Sequence, residues 1–341
     1  MTSQASALAG QLAMLQGAEA GTLATSTLHL FWDLCSWLAR WPAEFFVDDG
    51  AYPIARWGVE RAAARGAKAH RFPHHDPSAM RWRLRRRSRG TERPVVITDG
   101  VCPVCGRMAP LRDYLAAVRE AGGLLVVDDT QGLGILGWSP TSSAPYGRNG
   151  AGSLAWSGVS GSDVIVVSSL AKGFGVPLAV LCASASIVPS FRAGSETSLH
   201  CSPPSMAAIH AARHALRVNA QRGEMLRAKL IDRVQRFQRP LTADGLRMGC
   251  SLFPVQTLHL GPSQASVKLH RRLARRGIQC LLQRDHGDQP VLRFLITARH
   301  IPEEVNATVT AILEETTAAR QRLPQVELGD LWRRFEHERM P

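Results

Sequence analysis

Apolar residues along the chain recur in two rhythms. Short continuous runs, bounded by polar or turn residues, stand at Glu44–Val47, Pro94–Thr98, Leu124–Val127, Val164–Val167 and Ala179–Cys182. Each predicts a strand buried on both faces. Between them lie stretches with apolar positions three and four residues apart. The segment Thr27–Arg40 places Leu28, Phe31, Leu34, Cys35 and Leu38 on one face of a predicted helix, with Thr25, Ser26 and Thr27 as capping candidates. Further helices are predicted from Ile54 to Gly66 and from Leu111 to Glu120, the latter with Pro110 at its start and Gly122 beyond its end. Strands alternating with helices predict an α/β fold on a mostly parallel sheet covered on both sides.

After Pro203 and Pro204 the rhythm changes. The text is helical and basic to about Arg239, mixed from Met248 to Thr297, and helical again from Pro302 to Arg320, which predicts a smaller α+β domain. The expected division is a large domain over 22–205, a small C-terminal domain over 206–325, and terminal extensions at 1–21 and 326–341. A loop rich in Gly, Ser and Pro runs from Ser139 to Ser162.

Composition narrows the class. With 341 residues, 45% hydrophobic and 20% charged, the chain is long enough for two domains and is not disordered. No apolar run reaches the roughly 18 residues that span a bilayer, and the first basic residue is Arg40, so no membrane association and a cytoplasmic protein are expected. Seven scattered cysteines read as reduced thiols rather than a disulfide framework. Cys102 and Cys105 form a CxxC, but no second ligand pair follows at a recognisable spacing, so no metal site is predicted. Adjacent His74, His75 and Asp76 could share a metal. The 41 Lys+Arg against 28 Asp+Glu give a net charge of +13, which favours polyanionic partners. The densest run, Arg81 to Arg93 around Trp82, reads as a solvated helix and loop, because no nucleic-acid module motif accompanies it.

In an open α/β sheet, ligands bind outside the carboxyl ends of the strands. The residues there are Asp99, Asp128 and Asp129, then Ser168-Ser169-Leu170-Ala171-Lys172. Two strand ends offer carboxylates, a third offers hydroxyls and a lysine, and Thr25, Ser26 and Thr27 at a helix start offer an anion cradle. Those are the parts that pyridoxal phosphate requires. Lys172 is the candidate for the Schiff base, and Asp128 for the carboxylate that keeps the pyridine nitrogen protonated. Ser26, Thr27 and Ser169 suit the phosphate, and Arg293 suits a substrate carboxylate.

At these residues the chain resembles the α-oxoamine synthases, pyridoxal-phosphate enzymes of fold type I that include aminooxononanoate and aminolevulinate synthases. Val164-Ile-Val-Val-Ser-Ser-Leu-Ala-Lys172-Gly-Phe-Gly175 is similar to the family's cofactor-lysine segment. Val127-Asp-Asp-Thr-Gln-Gly-Leu-Gly-Ile-Leu-Gly137 is similar to its Asp-x-x-His strand end and glycine-rich loop. Thr98–Gly106, Phe72–Asp76 and Leu292–His300 resemble three further segments, and the likeness runs in register from about Leu23 to about Leu313. The place of His74, His75 and Asp76 in such a segment implies loop scaffold rather than a metal site.

The resemblance implies a homodimer with shared active sites, Lys172 as the cofactor lysine, Asp128 on the pyridine nitrogen, Ser169 on the phosphate and Arg293 on the amino-acid carboxylate. It implies condensation of an amino acid with an acyl thioester, delivered by coenzyme A or an acyl carrier protein, either of which suits the positive charge. Departures stand out. Gln131 replaces the family's histidine near the cofactor's phenolic oxygen. The ring-stacking histidine falls at Pro53, with Tyr52 beside it as the stacking candidate. Pro103 replaces a serine near the substrate. The Thr-Ser ahead of the proline pair becomes His200-Cys201, which places His200 among the expected cofactor contacts. Most of the family's N-terminal region ahead of the phosphate-binding helix is expected to be missing. Two rival readings stay open: transamination or other Cα chemistry on the same cofactor, and a degenerate member that binds a partner without turnover.

Overall fold

A strand flanked by others on both sides of a sheet and covered on both faces must be apolar throughout, and the central strands here are. The computed structural model describes residues 2–87, 92–249, 251–261 and 263–321. The first sheet comprises β1 (Ala20–Ala24), β2 (Ala43–Asp48), β3 (Lys68–Phe72), β4 (Arg93–Asp99), β5 (Leu124–Asp128), β6 (Val164–Ser169) and β7 (Ala179–Ala183), ordered β1-β7-β6-β5-β4-β2-β3. Neighbours from β3 through β6 pair in parallel, whereas β7 runs antiparallel to both β6 and β1. Successive side chains feed opposite faces. Val96, Leu125, Val127, Val166 and Val180 belong to one buried cluster, and Val95, Ile97, Val126, Ile165, Val167 and Leu181 to the other. Each such side chain contributes about 1.5–3 kcal/mol by leaving water.

Helices α1 (Ser3–Leu15), α2 (Thr27–Leu38), α3 (Pro53–Ala64), α4 (Pro77–Arg86) and α5 (Leu111–Glu120) cover this sheet, followed by the short α6 (Ser153–Ser157), α7 (Ile187–Ala193) and α8 (Glu196–His200). Residues 2–21, within the expected extension, form α1 and the start of β1 and pack one face into the core. Ala5, Leu8, Ala9 and Leu12 on α1 are buried, and Gln16 just beyond it accepts from Ser168 Oγ of β6 at 2.9 Å. In α2 the expected apolar face is rotated: Leu28 is exposed, while Leu30 and Trp37 join Phe31, Leu34, Cys35 and Leu38 in the core. The helix is wedged among the sheet, α3 and α7, so a broader arc is buried than one seam requires. The arginine run does form a helix, α4. Its Met80 and Leu84 face the core, and the run's residues 88–91 lie outside the described residues.

The long helix α9 (Met206–Ala243) carries the division between two compact units, which falls at Asp232 rather than near Ser205. The larger unit also takes in the segment up to Val255 that follows Gly249. The smaller unit is built on a four-stranded sheet, ordered β10-β11-β9-β8, of β8 (Arg247–Met248), β9 (Val255–His259), β10 (Leu281–Arg284) and β11 (Pro290–Leu295), with α10 (Ser263–Arg275) and α11 (Pro302–Gln321). Leu258, Leu273, Leu292 and Ile312 are buried, and Phe237 meets Phe294 at 4.9 Å between ring centroids. The expected extension 326–341 lies outside the described residues. No helix among the described residues is long and apolar enough to cross a membrane.

Candidate active site

Three parallel strands end in aspartates, and each is buried. Asp99 and Asp128 close β4 and β5 as directly paired residues of the ladder. Asp99 Oδ1 accepts from the Tyr52 backbone N–H at 3.2 Å, and its Oδ2 is buried without a hydrogen-bond partner. Burial, and then the Asp128 charge, lift the Asp99 carboxyl well above the usual range. Burial also raises Asp128, against the hydrogen bond its Oδ1 receives from Thr130 N at 3.0 Å. Two desolvated acids side by side share protons rather than ionise together.

The loops that follow β5 and β6 are joined by a relay of short-range bonds. Thr130 N donates to Asp128, Ser169 N donates to Thr130 Oγ1 at 3.0 Å, and Ala171 N donates to Ser169 Oγ at 3.2 Å. Lys172 is the next residue, exposed on the turn beyond. Gln131 sits half-buried in the same β5 loop. Asp129 serves a different purpose. Both its oxygens accept from Ser153 N, at 3.1 and 2.9 Å, and burial pushes it up to about 7. A Cβ on Gly132 or Gly152 would fall within 2.2 or 1.9 Å of this carboxylate, so the loop can close over it only with glycine there.

At the end of β1, Ser26 caps α2 with extended backbone but without a side-chain capping bond to a helix N–H. Thr25 Oγ1 and Ser26 Oγ instead meet His29 Nδ1 at 3.0 and 2.8 Å. The first N–H groups of α2 thus keep their anion-binding capacity. A cavity of about 460 Å³ opens here, lined by Thr25, His29 and Asp33 together with Cys201 and the Pro203-Pro204 pair. Buried Asp33 holds the α8 segment in place by accepting from Ser195 Oγ and Thr197 Oγ1, both at 2.5 Å.

The description "Aminotransferase class I and II" belongs to the family whose sequence profile matches residues 37–312. The chain belongs to that family. It is 32% identical over 260 residues to the 8-amino-7-oxononanoate synthase of Sodalis glossinidius (strain morsitans), an alignment covering 74% of this chain and 62% of that protein. The chain therefore spans less than two thirds of that relative's length. Among solved structures, serine palmitoyltransferase from S. paucimobilis with a bound PLP–myriocin aldimine shares the fold at TM-score 0.83 and 18% identity, covering 93% of this chain and 77% of that one. 8-amino-7-oxononanoate synthase from Francisella tularensis superposes at TM-score 0.72 and 19% identity, covering 94% and 89%. The resemblance to α-oxoamine synthases, and the α/β fold it implied, are borne out.

Within this family member the expected residues separate into groups. Asp128, Asp99, Tyr52, Gln131, Ser169 and Lys172 gather on the carboxyl ends of β2, β4, β5 and β6, and Thr25, Ser26 and Thr27 on that of β1. Tyr52 is 47% exposed and fixed through its backbone to Asp99. Counted from Asp48, the buried acid of that strand, Tyr52 itself stands four residues on. His200 is exposed at the end of α8, and its neighbour Cys201 lines the cavity instead. Arg293 lies in the smaller unit, buried on β11, where its guanidinium donates to Gln283 Oε1 and, at 3.4 Å, to the Arg284 carbonyl.

Sequence reasoning missed the third acid. Asp48, closing β2, accepts from Gly50 N at 2.7 Å, His74 Nδ1 at 2.6 Å, His75 N at 3.1 Å and Tyr114 Oη at 3.2 Å. Burial alone would raise it, but the His74 bond and charge hold its carboxyl below the usual range. His74 is lifted to about 9: burial opposes the shift, and bonds to Asp48 and Cys105 outweigh it. The signal was the family-like Phe72–Asp76 segment, whose partners only the fold reveals.

Proposed function

We propose that this chain binds pyridoxal phosphate and condenses an amino acid with an acyl thioester, releasing the carrier thiol. The observation that carries this reading is the relay from Asp128 through Thr130 and Ser169 to Ala171, the residue before Lys172, next to a buried acid with a bare oxygen. Such an arrangement fits the cofactor, since a buried carboxylate starved of donors suits a protonated ring nitrogen, and a lysine on a tethered turn suits an aldehyde. Bound there, pyridoxal phosphate supplies an electron sink for a carbanion at the amino-acid Cα. Lys172 would hold its aldehyde carbon, Asp128 its ring nitrogen, and Ser169 with Thr25, Ser26 and Thr27 its phosphate. Tyr52 would cover the ring. Gln131 would donate its amide N–H to the phenolic oxygen, where an imidazole could also move a proton.

Arg293 would bind the amino-acid carboxylate, and a second copy of the chain would complete the site, His200 included. The net charge of +13 supports an acyl donor carried on an anion, coenzyme A or an acyl carrier protein. The names of the relatives support the reaction class. The protein is read as cytoplasmic. Gln131 favours a second reading, transamination, because loss of the imidazole at that oxygen changes where protons return.

The test is the absorbance spectrum of purified protein with pyridoxal phosphate. A visible band that shifts with one amino acid, vanishes in Lys172→Ala, and is followed by thiol release from an acyl thioester is expected. Amino-group transfer to a keto acid without thiol release would replace condensation by transamination. No band in the native protein would overturn cofactor binding and leave a partner-binding role.

A further inference from the structure

Behind the Asp99 strand end lies a cluster that the proposed chemistry does not use. The chain after β4 turns back on itself through Cys102-Pro-Val-Cys105-Gly-Arg107, closed by the bridge between Val101 and Met108. Gly106 takes φ +68° while its N–H donates to the Cys102 carbonyl at 2.9 Å, a tight reversal that brings the two sulfurs to one side. Val104 N and Cys105 N both point at Cys102 Sγ, at 3.3 and 3.4 Å. The two N–H groups lower the Cys102 thiol against Cys105 and burial, which hold it raised, and a metal ion that binds there displaces the thiol proton.

We propose that Cys102, Cys105 and His74 form a zinc site in the larger unit, with Asp48 as its outer carboxylate. Three observations on geometry carry this. First, His74 Nε2 lies 3.5 Å from Cys105 Sγ. With Zn–S near 2.3 Å and Zn–N near 2.0 Å, the edge of a tetrahedron between those ligands is about 3.5 Å. Second, a ring nitrogen of His74 and the two sulfurs all lie within 4.8 Å of one another. Third, His74 Nδ1 is held by Asp48 at 2.6 Å, which fixes the ring and leaves Nε2 facing the thiols. A carboxylate on the far nitrogen of a ligating histidine is the usual outer support of zinc. Asp48 is itself anchored by the Gly50 and His75 backbones, so the ligand ring is oriented before metal arrives.

Two sulfurs and one imidazole form a soft donor set that selects zinc over magnesium or calcium. Three protein ligands leave one tetrahedral position for a further donor. Buried Cys102 and half-buried Cys105 make the site a clip, tying the loop after Asp99 to the loop after β3. The CxxC alone lacked a partner in sequence because His74 comes from another strand end.

The test uses untagged full-length protein purified without chelator and does not depend on the proposed catalysis. Elemental analysis is expected to find about one zinc ion per chain. Cobalt in its place should give thiolate-to-metal charge-transfer absorbance in the near ultraviolet. Chelation should expose Cys102 and Cys105 to a thiol reagent, and re-added zinc should protect them again. Asp48→Asn is expected to weaken zinc binding about 10–100-fold, and Cys105→Ser to abolish the charge-transfer band. Because either variant can misfold, the protection experiment on the native chain decides the matter. Thiols equally reactive with and without micromolar zinc overturn the proposal. So does a Cys102–Cys105 disulfide that forms under mild oxidant while zinc is present, which would make the pair a redox dithiol instead.

Discussion

Two neighbouring regions of one sheet hold the same functional group in opposite conditions. At the end of β2, Asp48 is surrounded by donors from five residues, Thr98 among them, and stays charged. At the ends of β4 and β5, Asp99 and Asp128 receive one backbone N–H apiece in the hydrogen bonds described, and both are pushed toward the neutral form. All three are desolvated. What differs is donor supply, and it separates an acid that organises the protein from acids that await a cationic or donating ligand.

The contrast can be broken from either side. The largest expected effect is that of Lys172→Ala. Exposed on its turn, Lys172 should leave the melting temperature of cofactor-free protein within about 1 °C of native, since exposed substitutions change stability by less than about 0.5 kcal/mol. Turnover should nonetheless fall by at least about 1,000-fold, for want of the covalent anchor. Next is Asp48→Ala, which strips the partner from His74 and several buried N–H and O–H groups. Denaturant unfolding should register a loss of about 3–5 kcal/mol, whereas Asp99→Asn should leave cofactor-free protein as stable or more so. Equal losses in the two variants would erase the distinction drawn above.

Acidity gives a sharper test. Asp129, raised to about 7, and the raised Asp99 and Asp128 retain protons that an unfolded chain gives up near 3.8. Their contribution is complete below 3.8 and fades at higher pH, for Asp129 as pH rises to about 7, by roughly 1.4 kcal/mol per pH unit for one proton. Asp48 acts in the opposite sense: its contribution is present above 3.8 and is lost as acid protonates it. Cofactor-free protein should therefore melt lower at pH 8 than at pH 5.5, and Asp129→Asn should flatten that slope. A slope unchanged in Asp129→Asn would assign it to the Asp99/Asp128 pair. The smallest effect is expected for Tyr52→Ala. Folding should be untouched, and cofactor affinity measured by absorbance titration should fall about 3–10-fold, the range of one lost aromatic contact.

The central strands and two of the three strand-end acids were legible because an interior strand has no choice but to be apolar until its last residue. The edge strand β3, Lys68-Ala-His-Arg-Phe, was not legible, since one neighbour and a wet face permit charged residues along it. Helix α1 hid among Ala, Gly and Gln, whose small or polar side chains give a weak stripe. In the site, Lys172, Asp128 and Ser169 could be read because they follow strands directly. His74 and Cys105 could not be read as partners, because their proximity is made by the crossover from β3 to β4 over β2 and leaves no spacing in the chain.

The carboxylate of Asp129, enclosed by glycines, has a further consequence. Because Gly132 and Gly152 have no room for a methyl group while Asp129 is present, the three positions do not vary independently. A substitution at Gly132 needs Asp129 to have shrunk first, a step that would strip Ser153 N of its acceptor, and Gly152 is held besides by its φ of +99°. The loop that joins the β5 end to the rest of the site is thus locked by epistasis. Diversification of this scaffold has to run through other side chains on and beside the loop, Gln131 and Tyr52 among them, while the loop's own path stays the same.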